Sequence, residues 1–95
     1  MDEALDVVLA DDQLVFLDAL TAVLERLGHH VLAAATTRRA MIHSVQAFRP
    51  DVCVFENPLP DGSGIEAIAD MLSASATTRM IVLTADRDPE TMRRA

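Results

Sequence analysis

The sequence has no lysine, no tryptophan and no tyrosine, a single cysteine, and three glycines among its 95 residues. With three phenylalanines as its whole aromatic complement, any core has to be packed from Val, Leu, Ile, Ala and Met. Cys53 has no partner for an internal disulfide, and in its apolar, strand-like run it reads as a small buried hydrophobe. No apolar run approaches membrane-spanning length, and the opening Met-Asp-Glu-Ala-Leu-Asp is acidic, unlike a signal peptide. These absences point to a soluble protein in a reducing, cytoplasmic setting, without membrane contact. Eight basic residues stand against fifteen acidic ones, for a net charge of −7. A compact domain so charged repels phosphate backbones, which argues against direct nucleic-acid binding by this segment.

What is present suits one small domain, because just over half the residues are apolar. Asp6 to Ala10 is a continuous, β-branched run of the kind covered on both faces in parallel sheets. From Leu14 the period becomes helical, with Phe16, Leu20, Val23 and Leu27 on one stripe and Gly28 as a stop. Val31 to Ala35 reads as a weaker, Ala-rich strand near a sheet edge. Thr36-Thr37 can cap a second helix bearing Met41, Val45 and Phe48 on one face, which must end near Arg49 because Pro50 follows.

Val52 to Phe55 is a second buried-strand run, and Glu56 to Gly64 is a loop rich in breakers. A third helix carries Ile65, Ile68 and Leu72 on one face. Thr77-Thr78 lead into a strand from Met80 to Ala85. A last helix starts at Asp88-Pro89-Glu90 and is cut at Ala95, so the natural polypeptide is expected to continue. This βαβαβαβα order predicts right-handed crossovers and one doubly wound parallel sheet.

Acidic residues close two of these strands: Asp11-Asp12 the first and Glu56 the third, while Thr84 ends the fourth. Ligand sites of doubly wound sheets lie at the carboxyl ends of strands, where the strand order reverses. With spatial order 2-1-3-4, strands 1 and 3 are neighbours about 4.8 Å apart, and their carboxylates crowd one pocket. Such a pocket binds a hard cation such as Mg²⁺, pairs with a basic residue, or raises one carboxyl pKa. The alternative is that Asp11 and Asp12 merely cap the first helix.

Val8-Leu9-Ala10-Asp11-Asp12-Gln13, Arg49 to Glu56, Leu59-Pro60 with Gly64, and Ile81-Val82-Leu83-Thr84-Ala85 together resemble the response-regulator receiver family, in order and spacing, over essentially the whole chain. The resemblance implies a flavodoxin-like α/β fold and a non-enzymatic signalling module of two-component systems. It assigns Asp11, Asp12 and Glu56 to a weak Mg²⁺ site. It also assigns Glu56 to the phosphoacceptor position and Thr84 to the phosphoryl-sensing switch. Its implied partners are a histidine kinase and an output domain, while the apolar strand from Met80 to Ala85, with no following strand to pair with, is expected to make the chain self-associate as a homodimer. The Asp-Asp-Gln start is similar to receivers fused to LuxR-type helix-turn-helix domains, which suggests the N-terminal part of a transcriptional regulator.

Two departures bear on function. The acceptor position holds Glu56 where the family has Asp, and one added methylene carries the carboxylate into the space of the phosphoryl group or metal. Since about 1 Å of misplacement can cost about a hundredfold in rate, phosphorylation-independent action is expected. The fifth strand, its Lys and the fifth helix are missing from residues 1–95, so the receiver-like domain is incomplete at its C-terminus.

An aspartyl-phosphate phosphohydrolase is the alternative, but it needs Asp-x-Asp after the first strand and a later Lys. Nucleotide binding lacks a Gly-rich phosphate loop, since the first glycine is Gly28. His29, His30 and His43 read as ordinary solvent-exposed histidines, and Arg38-Arg39 and Arg93-Arg94 as solvated basic pairs.

Overall fold

In a computed structural model that describes residues 3–84, strand and helix alternate throughout. The strands are β1 (Asp6–Ala10), β2 (His30–Ala35), β3 (Val52–Glu56) and β4 (Arg79–Leu83). The helices are α1 (Leu14–Arg26), α2 (Arg38–Phe48) and α3 (Ile68–Ala74), the last entered through one 3-10 turn at Ile65–Ala67. All four strands are parallel, in the order β2-β1-β3-β4, with Ala-rich β2 at one edge as its composition predicted. Ala85 and the helix expected from Asp88 lie outside the described residues.

The sheet divides the core in two, which explains the unbroken apolarity of β1. Val7 and Leu9 face Leu17 of α1, while Val8 and Ala10 face the opposite layer. There Met41 and Val45 of α2 and Ala67 and Met71 pack against Cys53 and Phe55 of β3. Burial holds the Cys53 thiol neutral, its pKa pushed up to about 12.

Local signals at the helix ends act as anticipated. Thr37 Oγ1 accepts the Ala40 N–H, Gly28 follows α1 with φ +96°, and α2 stops ahead of Pro50, where Arg49 turns left-handed. Thr78 is buried rather than a simple lead-in to β4. Its hydroxyl donates to the Pro50 carbonyl at 2.6 Å and pairs with Ser75 Oγ, tying the start of β4 to that of β3.

The helix faces need correction. The predicted α1 stripe is mostly outside: Val23 is 51% exposed and Leu27 67%, and Phe16 is exposed too. The packed face is Leu17, Leu20 and Leu24, rotated about one residue from the expected one. Because α1 is apolar around much of its girth, its period fits more than one stripe, and contact with the sheet selects among them. Phe48 of α2 is likewise exposed, as are Ile65 and Leu72, whose burial was expected; Ala67 and Met71 take the inner positions.

The two α1 faces make different mutational predictions. Leu17→Ala should cost about 2–5 kcal/mol of unfolding free energy, as for a buried leucine. Val23→Ala should cost less than about 0.5 kcal/mol. Urea denaturation of both variants checks the assignment, and the reverse ranking would restore the Phe16–Val23 stripe.

Candidate functional site

The reversal in strand order falls between β1 and β3, and the predicted acidic residues meet there. Pairing runs from Val7–Val52 to Ala10–Phe55, so the residues that follow β1 emerge beside Glu56. One carboxylate oxygen from each of Asp11, Asp12 and Glu56 lies within 4.8 Å of the others. Each group is held differently. Asp11 is buried, its amide donating to the Ala35 carbonyl and its Oδ1 accepting the Gln13 N–H at 2.9 Å. Glu56 Oε2 accepts the Asp12 N–H at 2.9 Å, so the longer side chain reaches across to the β1–α1 turn. Asp12 itself is exposed.

The capping alternative holds only in part. Asp11 secures the amide of Gln13, the residue that precedes the helix, while Gln13 stands at the N-cap position without a side-chain cap. Thr84 follows β4 immediately and lies one residue beyond the Leu83–Glu56 pair, and the Asn57 N–H donates to the Leu83 carbonyl. The fold therefore brings all four predicted residues to one edge of the sheet. The three histidines do not gather. His43 and His30 are exposed, and His29 corrects its assignment as an ordinary exposed residue: half-buried, it accepts the Leu5 N–H at Nδ1.

Sequence reasoning missed how the loop after Glu56 is organised. Asn57 Oδ1 accepts from Ser63 Oγ and the Gly64 N–H at 3.1 and 2.9 Å, folding the loop back on itself. Leu59 and Gly62 exchange two backbone hydrogen bonds across the turn. Gly64 is required by contact, since a Cβ there would lie 2.6 Å from the Phe55 ring. Asp61 caps α2 from a distance, accepting the N–H groups of Arg38 and Arg39. An Asn followed directly by Pro, with Asp-Gly-Ser-Gly a few residues on, signals a turn. The Asp61 contact joins residues too far apart in the chain for any local pattern to announce.

Electrostatics distinguish these carboxyls. Glu56 has its pKa raised, first by partial removal from water, then by the Asp12 carboxyl and by the charges of Asp11 and Asp12; the Asp12 N–H opposes this. Asp61 is held low by the Arg38 and Arg39 amides.

The same chain region places the domain among known proteins. A family model described as "response regulator receiver domain" matches residues 7–95, and the chain belongs to that family. It is 34% identical over 80 residues to the KDP operon transcriptional regulatory protein KdpE of Escherichia coli, covering 84% of this chain and 35% of that protein. The receiver domain of the putative response regulator NarL from Mycobacterium tuberculosis superposes with a TM-score of 0.85 at 24% identity, covering 98% of this chain and 76% of that one. A response regulator from Burkholderia pseudomallei, solved with a phosphorylated aspartic acid, a calcium ion and citrate, superposes with a TM-score of 0.80 at 26% identity, covering 90% of this chain and 50% of that one. The chain spans less than half the length of the transcriptional regulators it matches.

A raised carboxyl binds its proton more tightly in the fold than in the unfolded chain. Its contribution is therefore greatest below the ordinary value of 4.5 and is lost as pH rises through the raised value. Asp61 acts oppositely, losing its contribution as pH falls below about its ordinary 3.8. Glu56→Gln should flatten the decline in melting temperature above pH 4.5 measured in EDTA. Parallel profiles for parent and variant would remove Glu56 as its source.

Proposed function

We propose that this receiver domain signals without being phosphorylated, as the regulatory part of a transcriptional regulator, and that it works through protein contacts rather than catalysis. The observation that carries the reading is the Glu56 carboxylate, spanning from the end of β3 to the Asp12 amide. An acceptor must present its oxygen in line with the incoming phosphorus, and reactivity falls steeply with misplacement. Here one oxygen is engaged by a backbone donor, and the side chain extends into the space between the strands. Its fixed charge supplies part of what a phosphoryl group would bring, though one charge stands in for about two and for three acceptor oxygens. Thr84, beside this pair in register, is the residue through which that charge would be sensed.

Asp11, Asp12 and Glu56 suit Mg²⁺, offering three oxygen donors close enough to share one hard cation with room for water. Bound there, the ion would neutralise the crowded carboxylates and fix the β1–α1 turn against β3. A transcriptional role is supported by the regulators the chain matches, KdpE and the DNA-binding transcriptional activator DevR/DosR of Mycobacterium tuberculosis among them. DNA binding itself is not assigned to this acidic segment. A histidine kinase and an output domain are the partner classes that follow from the family. Homodimerisation fits the exposure of Ile81 and Val82 on β4.

Incubation with acetyl phosphate and Mg²⁺ should leave the intact mass unchanged, and a stoichiometric gain of one phosphoryl group would overturn the proposal. Labelling of Glu56→Asp alone would assign the block to the extra methylene. In the same buffers Mg²⁺ should raise the melting temperature of the parent by mass action and leave Asp12→Ala unmoved. Equal shifts in both would place the ion elsewhere. Light scattering across a concentration series tests the dimer, which a monomer at every concentration would exclude.

A further inference from the structure

Charge is divided unevenly along this chain. Residues 27–50 contain no Asp or Glu but three arginines, Arg38, Arg39 and Arg49. The net charge of −7 therefore separates into +3 for this stretch and −10 for everything else. Among the described residues the fold keeps the two largely apart, Asp61 excepted, because the basic stretch forms edge strand β2 and helix α2. Of the described helices, α1 carries Asp18 and Glu25 and α3 carries Asp70, whereas α2 has no acidic residue.

The surface of α2 is concave where this charge lies. An open cleft of about 410 Å³ is lined by Arg38, Arg39, Ile42, His43, Gln46 and Asp61. A second hollow of about 330 Å³ shares Arg39 and His43 with it. These two exposed side chains stand one helical turn apart on the ridge between the hollows. Half-buried Ile42 supplies apolar floor. The one acid in the lining, Asp61, has its carboxylate turned to the first amides of α2. Arg38 is steadied against the same loop, its guanidinium lying over Gly62, where a Cβ would come within 2.8 Å.

We propose that this α2 cleft is a docking surface for an acidic segment of a protein partner. Side-chain carboxylates of that segment pair with Arg38 and Arg39, and an apolar residue covers Ile42. Arginine suits the task because its planar fork bonds carboxylates bidentately. A nucleic acid fits poorly, since a long polyanion crossing α2 runs on into the rest of the described fold, where two basic residues stand against eleven acidic ones. A short acidic segment stays within the basic edge, and the surrounding field orients its approach. The cleft is separate from the carboxylate pocket, yet its Asp61 rim belongs to the loop that leaves Glu56.

The test is fluorescence anisotropy of a labelled oligoglutamate peptide carrying one leucine, titrated with the full chain at low ionic strength. Saturable binding is expected, weakened at least tenfold by Arg39→Glu with His43→Glu and at least threefold by the milder Arg39→Gln with His43→Gln. Arg26→Glu, a charge reversal on α1, should change it less than twofold. Absence of saturation, equal weakening by Arg26→Glu, or unchanged binding in both α2 variants overturns the proposal. Displacement by inorganic phosphate at equal charge would overturn it in favour of a small-anion site. Anisotropy that falls again as the protein concentration rises, with light scattering showing growth in mass over the same range, would overturn it in favour of a second copy as the occupant.

Discussion

At the centre of this domain β1 and β3 lie side by side, parallel and covered on both faces, with Val8, Leu9, Cys53 and Phe55 fully buried. Their pairing sets the distance between the residues that follow β1 and the residue that ends β3. The Asp12 amide and the Glu56 carboxylate meet at 2.9 Å because hydrophobic burial has already fixed the two strands. Crowding of three carboxylates is thus imposed by the core, and the local polar contacts answer it. Asp11 spends its oxygen on Gln13, Glu56 takes the Asp12 N–H, and the pKa of Glu56 rises.

The loop from Glu56 to Gly64 ties this edge to both helices of the opposite layer. Asn57 closes the loop at its base, Asp61 holds the start of α2, and Gly64 brings the entry to α3 against Phe55. Glu56 therefore begins the loop whose Asp61 caps α2. That continuity joins the acidic pocket to the basic edge of the molecule, two regions of opposite charge on one small fold.

Strands, turns and helix ends were legible in the residues because their signals are local. β1 and β3 announced themselves by unbroken apolar runs, α2 by Thr37 and Pro50, and the end of α1 by Gly28. The choice of helix face was less legible. In α1, Leu17 and Phe16 differ by one residue, and apolarity alone does not say which meets the sheet. Past Gly64 the inner positions went to Ala67 of the 3-10 turn and Met71 of α3, with Ile68 of the expected face packed beside them and Ile65 and Leu72 left outside.

The sequence by itself determined the element order, the parallel sheet and the identity of the residues at its carboxyl edge. Those follow from periodicity, from breakers and from the crossover rule, all of which act over short stretches of chain. Only the tertiary structure decided which carboxylate oxygen meets which amide, that Asp61 caps α2, that Thr78 is buried against Pro50, and that Arg38 and Arg39 line a cleft. Each of these joins groups far apart in sequence, and their meeting depends on how the buried faces pack rather than on any local preference.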